Sequence, residues 1–366
     1  MKYKFKTQRS KFKTKIQNSK ILRIIDVNTN RAVEGLRVME DVARFVLEDK
    51  ELTLEIKLLR GKARKIIGEL IENENRFQQR LLQRKALKDI GRNLYTSSEA
   101  KRESLLDIFS ANAKRVQEAL RVLEEFSKLT SPAAGKSIKD IRFNVYELEK
   151  EISLLLNRYL LLDFDLYVVT DPMRDHVEVA REVVAAGGKI VQLRDKSASK
   201  KQILKWAREI RKLTKKANAT FIVNDYVDIA KTVGADGVHL GQEDLNKLSL
   251  KTYRKRLGED KIIGVSTHSY SQALKAAREG ADYISVGPIF KTPSKPLGKA
   301  VGLKLLRKVL KKIKIPVVAI GGIDDSNIYN VRKTGCQRIA VIRAVLAKKD
   351  LKKAILRLQG AMGKRY

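Results

Sequence analysis

K-I-V-Q-L-R-D-K, residues 189–196, decides how the second half of the chain reads. An apolar run ends abruptly in charge. In an extended strand Gln192, Arg194 and Lys196 alternate with Val191 and Leu193, so the two sets point to opposite faces. Outward from this stretch the same texture recurs. Short apolar runs at 166–171, 189–195, 220–225, 237–241, 262–268, 283–290, 316–322 and 338–345 are separated by amphipathic segments. Nearly continuous Val/Ile runs suit parallel strands buried on both faces. Eight such strand–helix units predict a closed (β/α)8 TIM barrel over 163–366, with an open doubly wound sheet as the alternative.

In a TIM barrel the reacting groups sit at the C-terminal ends of the strands. The polar clusters of this half fall there. Gln192, Arg194 and Lys196 put an amide and two cations on one wall, which suits a diphosphate. Asn224-Asp225 closes the third run and Asp244 follows the fourth. Two carboxylates beside a cationic wall suit Mg2+ shared with phosphate oxygens. Taken singly, Asp225 also reads as a helix cap and Asp244 as a solvated loop residue. G-V-S-T-H-S supplies Ser266 and His268, and G-P-I-F-K-T-P-S-K supplies Thr292, Pro293, Ser294 and Lys295, a loop able to hold an anion. The seventh run ends A-I-G-G-I and the eighth carries I-A-V-I-R-A-V. Gly321 and Gly322 let a phosphate approach backbone N–H groups, and Arg343 adds charge. The layout offers one pocket for a diphosphate and one for a monophosphate, with no nucleophile paired to a base. Joining two phosphorylated substrates with loss of diphosphate fits it.

In order and spacing these residues resemble the thiamine-phosphate synthase family. The carriers are Q-L-R-x-K (192–196), the Asn224-Asp225 pair, V-H-x-G-Q-x-D (238–244), G-x-S (264–266), the 287–295 loop and G-G-I (321–323). The resemblance implies that Arg194, Lys196, Asn224 and Lys295 bind the diphosphate of a hydroxymethylpyrimidine substrate, within the segment that also holds Leu193 and Asp195. Gln192 and Ser266 would meet the pyrimidine, and Asp225 and Asp244 would ligate Mg2+. Thr292, Pro293, Ser294, Gly321 and the backbone at Ile342-Arg343 would hold a thiazole phosphate. It also implies early loss of diphosphate, giving a pyrimidine carbocation captured by the thiazole nitrogen. Two departures stand out: Arg343, where the family often has serine, and an insertion around 247–261. The thiazole tautomerases share the barrel and use a histidine where His268 stands. Asp244 and the T-x-S-K loop favour the synthase.

The first half has a different texture. Residues 21–162 predict an all-α domain of about four long helices. Ala32, Leu36, Met39, Ala43 and Val46 recur at steps of three and four, as one buried helix face requires. The pattern N-x-x-R-x-x-E-x-L-R-V-x-E appears twice, as Asn28, Arg31, Glu34, Arg37 and Glu40, and again 84 residues on as Asn112, Arg115, Glu118, Arg121 and Glu124. A further helix is expected after each, around 51–72 and 137–161, with a crossover loop at 84–98. The repeat, together with Asp89-Ile-Gly91, resembles the monofunctional hydroxymethylpyrimidine-phosphate kinases. That resemblance implies ATP as a substrate and formation of the diphosphate consumed by the barrel. T-S-P-A-A-G-K-S (130–137) lacks the first glycine of a Walker loop, so no P-loop supports it. The repeated polar residues serve equally well as inter-helix salt bridges, and steps of three drift around a helix, so they cannot all face one site.

Charge and composition set the outer bounds. Net charge is +35 and residues 1–20 carry eight Lys or Arg and no acid, a flexible basic arm in prospect. A positive field speeds capture of phosphorylated small molecules. Nothing in the sequence matches a nucleic-acid-reading motif. There is no run of 18 apolar residues and no apolar stretch behind the basic N-terminus, which argues against a membrane span or secretory signal. The single cysteine, Cys336, reads as a buried small residue in a reducing cytoplasm. A homo-oligomer is left open.

Overall fold

The computed structural model describes residues 2–72, 101–293 and 299–363, with the side chains of 2–19 and 70–72 outside the description. The chain forms two compact units, Met1–Asn157 and Arg158–Tyr366.

The second unit is a closed parallel barrel with strands in sequence order. The strands are β1 (Leu166–Val169), β2 (Ile190–Leu193), β3 (Thr220–Asn224), β4 (Gly237–Leu240), β5 (Ile262–Thr267), β6 (Tyr283–Val286), β7 (Val317–Ile320) and β8 (Arg338–Val341), and β8 pairs with β1 to close it. Successive side chains alternate between two dry layers. Tyr167, Val169, Ile190, Ile222, Ile262, Tyr283, Val318 and Ala340 fill the interior, joined by Leu162 and Phe164. Val168, Val191, Leu193, Val223 and their counterparts pack outward. Because Leu162 and Phe164 already belong to this core, the unit begins a few residues before the expected boundary at 163. Gly264 lies under the Tyr283 ring, where any Cβ would overlap it.

Each strand stops short of the run that predicted it. β2 ends at Leu193, so Arg194, Asp195 and Lys196 lie in the loop that leads to a helix at Lys200–Lys216. The expected alternation therefore holds for Gln192 and fails beyond Leu193. The insertion at 247–261 is largely a short helix, Leu250–Leu257. Cys336 is buried in the turn before β8.

The first unit is built on α1 (Lys2–Asp41), α2 (Lys50–Glu72), α3 (Leu105–Ser127) and all but the last turn of α4 (Pro132–Leu161). Residues 2–20, expected as a flexible arm, are the first half of α1. They contain no Gly or Pro and many good helix formers, so nothing stops the helix from extending. Ala32, Leu36, Met39 and Ala43 are fully buried as expected, but Val46 is only half-buried. A π-helical turn at Val42–Val46 inserts a residue per turn and rotates Val46 off the buried stripe. Asp49 caps α2 by accepting from the Leu52 N–H at 3.0 Å, and Ser104 caps α3 by accepting from the Asp107 N–H at 3.1 Å. Pro132 occupies the first position of α4, where its missing N–H costs nothing.

The two copies of the polar pattern make the same contacts. Asn28 donates to the Ile24 carbonyl at 2.9 Å and Asn112 to the Ile108 carbonyl at 2.8 Å. Glu40 is 3% exposed and pairs with Arg37 at 3.3 Å and Arg60 at 2.7 Å; Glu124, also 3% exposed, pairs with Arg121 and Arg142, each at 2.9 Å. Each buried carboxylate is thus held by one arginine of its own helix and one of the helix that follows. Gly35 stands at the approach of α1 to α3: a Cβ there would lie 2.6 Å from Val116 Cγ2 and 3.0 Å from the Asn112 carbonyl oxygen. Its equivalent in the second copy is the small, buried Ala119. The 84–98 segment and Asp89-Ile-Gly91 lie outside the described residues.

Candidate active site

A cavity of about 350 Å³ opens at the C-terminal ends of the barrel strands. Its floor is a continuous hydrogen-bonded line. Gln192 Nε2 donates to the Tyr167 hydroxyl at 2.7 Å, Tyr167 and Tyr283 hydroxyls are 3.0 Å apart, Tyr283 meets His239 Nδ1 at 2.9 Å, and His239 Nε2 meets Ser266 Oγ at 2.9 Å. Tyr167 accepts from Gln192; the other links join groups that can each donate or accept, and the His239 tautomer decides the last of them. His239 Nε2 also lies 3.4 Å from Ser285 Oγ. Burial pushes both tyrosine hydroxyls above their ordinary range, which keeps them donors.

One wall carries the cations. Arg194 lines the cavity, 3.5 Å from Asp171, beside Asn224. Lys196 is exposed at the rim and does not line the cavity. Asp225 adopts a left-handed backbone, φ 62°, and its N–H donates to the His239 carbonyl at 2.9 Å. That sharp turn at the end of β3 swings its carboxyl against Asp244, whose Oδ2 accepts from the Gly241 N–H at 3.0 Å. Burial first, and the Asp244 carboxylate second, push Asp225 up to about 6, against the pull of Lys196 and Arg194. Of the five groups expected around one hollow, Arg194 lines the cavity, whereas Lys196, Asp225 and Asp244 do not; Asp244, Lys196 and Arg194 act on Asp225. The fifth, Lys295, lies outside the described residues, as does Ser294.

At the far end the cavity is lined by Thr292, Pro293, Gly321, Gly322, Ile342 and Arg343, with Lys291 and Lys348 in addition. Both glycines have positive φ, 99° and 67°, and a Cβ on Gly321 would come within 2.5 Å of Pro288 Cα. Arg343 starts a helical turn, Arg343–Leu346.

Gln192, Arg194, Asn224, Ser266, Thr292, Pro293, Gly321, Ile342 and Arg343 are thus gathered around one space. Leu193 and Asp195 are not. Leu193 faces the outer core, and Asp195 is buried beneath the loop, bonded to His176 and to the following turn. Tyr167, Tyr283 and Ser285 sit inside apolar runs, and His239 inside the V-H-x-G-Q-x-D motif with no role of its own; the inward register of their strands is the signal that marks all four. In the helical unit Arg31, Glu34, Arg115 and Glu118 are exposed, while the asparagines, Arg37 and Arg121 are engaged as described above.

Similarity to known proteins follows the same division. The family model described as "Thiamine monophosphate synthase" matches residues 166–345, and that of the "ThiD2 family" matches residues 23–151. A thiamine-phosphate synthase of Prochlorococcus marinus subsp. pastoris is 39% identical over 340 residues, 92% of this chain and 93% of that one. One from Synechocystis sp. is 41% identical over 330 residues, 89% of this chain and 92% of its own. Among solved structures, a thiamine phosphate pyrophosphorylase from Pyrococcus furiosus is 39% identical, covering 56% of this chain and 97% of that chain with a TM-score of 0.51. No helix among the described residues is long and apolar enough to cross a membrane.

Proposed function

Since the chain belongs to the thiamine-phosphate synthase family, we propose that its barrel joins 4-amino-2-methyl-5-diphosphomethylpyrimidine to hydroxyethylthiazole phosphate, giving thiamine phosphate and diphosphate. The observation that carries this reading is a single cavity lined by Gln192, Arg194, Asn224 and Ser266 together with Thr292, Gly321 and Arg343.

Two facing carboxylates, one of them pushed up to about 6 in part by the other, fit a divalent cation. Asp225 and Asp244 would hold Mg2+, which when bound neutralises charge on the diphosphate. Arg194, Lys196 and Asn224 bind the diphosphate oxygens, so the pyrimidine methylene carbon lies over the floor near Gln192. Ser266, which lines the cavity, meets the pyrimidine. The C–O bond to diphosphate breaks with both electrons leaving on oxygen, and the cations stabilise that charge as it develops. The thiazole nitrogen supplies the pair for the new C–N bond. Its phosphate sits at Gly321, Gly322, Thr292 and Arg343, so the two substrates meet with their reacting atoms in the middle of the cavity. His268 also lines the cavity, but its Nδ1 lies 2.6 Å from the Gly287 carbonyl, and the acid pair beside Arg194 favours the synthase over a tautomerase. Full-length protein given Mg2+ and both substrates should release thiamine phosphate and diphosphate in equal amounts; diphosphate without thiamine phosphate ends the reading.

For the helical unit the ThiD2 match supports a second activity, ATP-dependent phosphorylation of hydroxymethylpyrimidine phosphate, which would supply the barrel's substrate. The exposed Arg31, Glu34, Arg115 and Glu118 are the repeat residues left for ligands. ATP and hydroxymethylpyrimidine phosphate added to the full chain should give ADP, and no ADP above the no-substrate rate rejects it.

A further inference from the structure

Behind the cationic loop lies a buried polar cluster that the reaction scheme leaves unused. Thr170, His176 and Asp195 are 0%, 2% and 6% exposed, and none of them lines the cavity. Thr170 follows β1, His176 opens the helix His176–Ala185, and Asp195 follows β2. The Arg194 N–H donates to Thr170 Oγ1 at 3.0 Å, Thr170 Oγ1 and His176 Nδ1 are 2.7 Å apart, and His176 Nε2 and Asp195 Oδ2 are 3.1 Å apart. Arg194 and Asp195 are covalent neighbours, so these three bonds close a ring.

As a carboxylate Asp195 only accepts, so His176 Nε2 carries a hydrogen and donates it. A neutral imidazole then accepts at Nδ1 from the Thr170 hydroxyl, whose oxygen accepts from the Arg194 N–H. Burial alone would raise the Asp195 carboxyl, but the Ser197 hydroxyl and N–H, the Ala198 N–H and His176 hold it down at about 2. The other oxygen, Asp195 Oδ1, accepts from Ser197 N, Ser197 Oγ and Ala198 N at 2.8, 2.8 and 2.9 Å. Lys196 therefore sits between two pinned residues. Trp206 lies against the imidazole with ring centroids 4.4 Å apart, which restricts its tilt.

We propose that His176 is a positioning residue for the synthase reaction: through Thr170 and Asp195 it locks the backbone of Arg194–Lys196, so that both cations are already aimed at the departing diphosphate. The inference rests on the assignment of Arg194 and Lys196 to that diphosphate. A loop that had to be ordered on binding would spend interaction energy on its own conformation, and a preset loop does not.

The test uses the full chain and inorganic diphosphate as a probe. Thr170→Val keeps shape and removes the hydroxyl, and His176→Leu removes the imidazole. Each should raise the KM for the pyrimidine diphosphate and weaken inhibition by inorganic diphosphate by about tenfold in step. The KM for thiazole phosphate should stay within about twofold, and Thr170→Ser should restore both values. Folded variants with unchanged diphosphate inhibition, or with both substrates' KM values raised equally, overturn the proposal. Arg194→Ala separates the two levels: if it too leaves diphosphate inhibition unchanged, the assignment of the pocket fails, and the positioning role with it. If it weakens inhibition while Thr170→Val does not, only the positioning role fails. The unmutated protein gives an answer that needs no variant to fold. It has three histidines, and ¹⁵N NMR should show His176 with its hydrogen on Nε2. A hydrogen on Nδ1 instead would break the ring and end the proposal.

Discussion

The two units spend the same kinds of residue in opposite ways. In the barrel, Arg194, Asn224, Thr292 and Arg343 come from the ends of different strands and converge on one cavity. In the helical unit, Glu40 and Glu124 come from one repeated pattern and tie helix to helix through Arg60 and Arg142, with Arg37 and Arg121 bracing them from their own helices. The difference is geometric. Parallel strands deliver all their C-terminal ends to one rim, so polar residues there meet by topology. A helix turns its residues around a cylinder, so a polar string at steps of three divides between a buried seam and solvent. Charge that is close-packed and mutually neutralised stabilises; two carboxylates set side by side, as Asp225 and Asp244 are, resist ionising together.

Mutations can break or sharpen that contrast. The largest effect is expected from Asp225→Ala, which should lower synthase kcat/KM about 1,000-fold in a steady-state assay of thiamine phosphate formation. Retained turnover would remove the distinction between the units. Glu124→Ala leaves Arg142 with no carboxylate in a nearly buried seat, and chemical denaturation should show the helical unit weakened by about 3 kcal/mol while synthase activity persists. Gly35→Val drives a side chain into Val116, and a loss of about 2 kcal/mol in the same experiment is expected. A pH effect comes next. Asp225 ionises near 3.8 when unfolded and near 6 when folded, so without metal its charge costs stability as pH rises through that interval. Discounted for partial exposure, Asp225→Asn should gain about 1 kcal/mol above pH 6 and nothing below pH 3.8, read from melting curves in chelator. Smallest is Arg121→Ala, whose side chain is 55% exposed; less than about 1 kcal/mol should be lost, because Arg142 continues to hold Glu124.

The barrel was legible because its strands are solidly apolar and its motifs fall at their ends. The sequence pattern overran each strand by one to several residues, since a run such as V-Q-L-R-D-K does not mark where hydrogen bonding to the neighbour stops. That is why Leu193 and Asp195 were grouped with Arg194 when one faces the outer core and the other braces the loop from below. Tyr167 and Tyr283 were illegible for the converse reason: a polar atom at the tip of a large ring hides within an apolar run, and only the closed barrel shows the two tips meeting in line with His239. In the first half the repeat was plain, yet its purpose was not, because Arg60 and Arg142, the partners that bury Glu40 and Glu124, lie outside the pattern on the next helix. The π turn that half-exposes Val46 leaves no mark in a periodic sequence.

The doubled ion pairs of the helical unit carry one more consequence. Asn28 and Asn112, Glu40 and Glu124, Gly35 and Ala119 occupy matching places in the two copies of the pattern. One motif therefore does the same work twice: what fixes a carboxylate between two helices in the first copy fixes it again in the second.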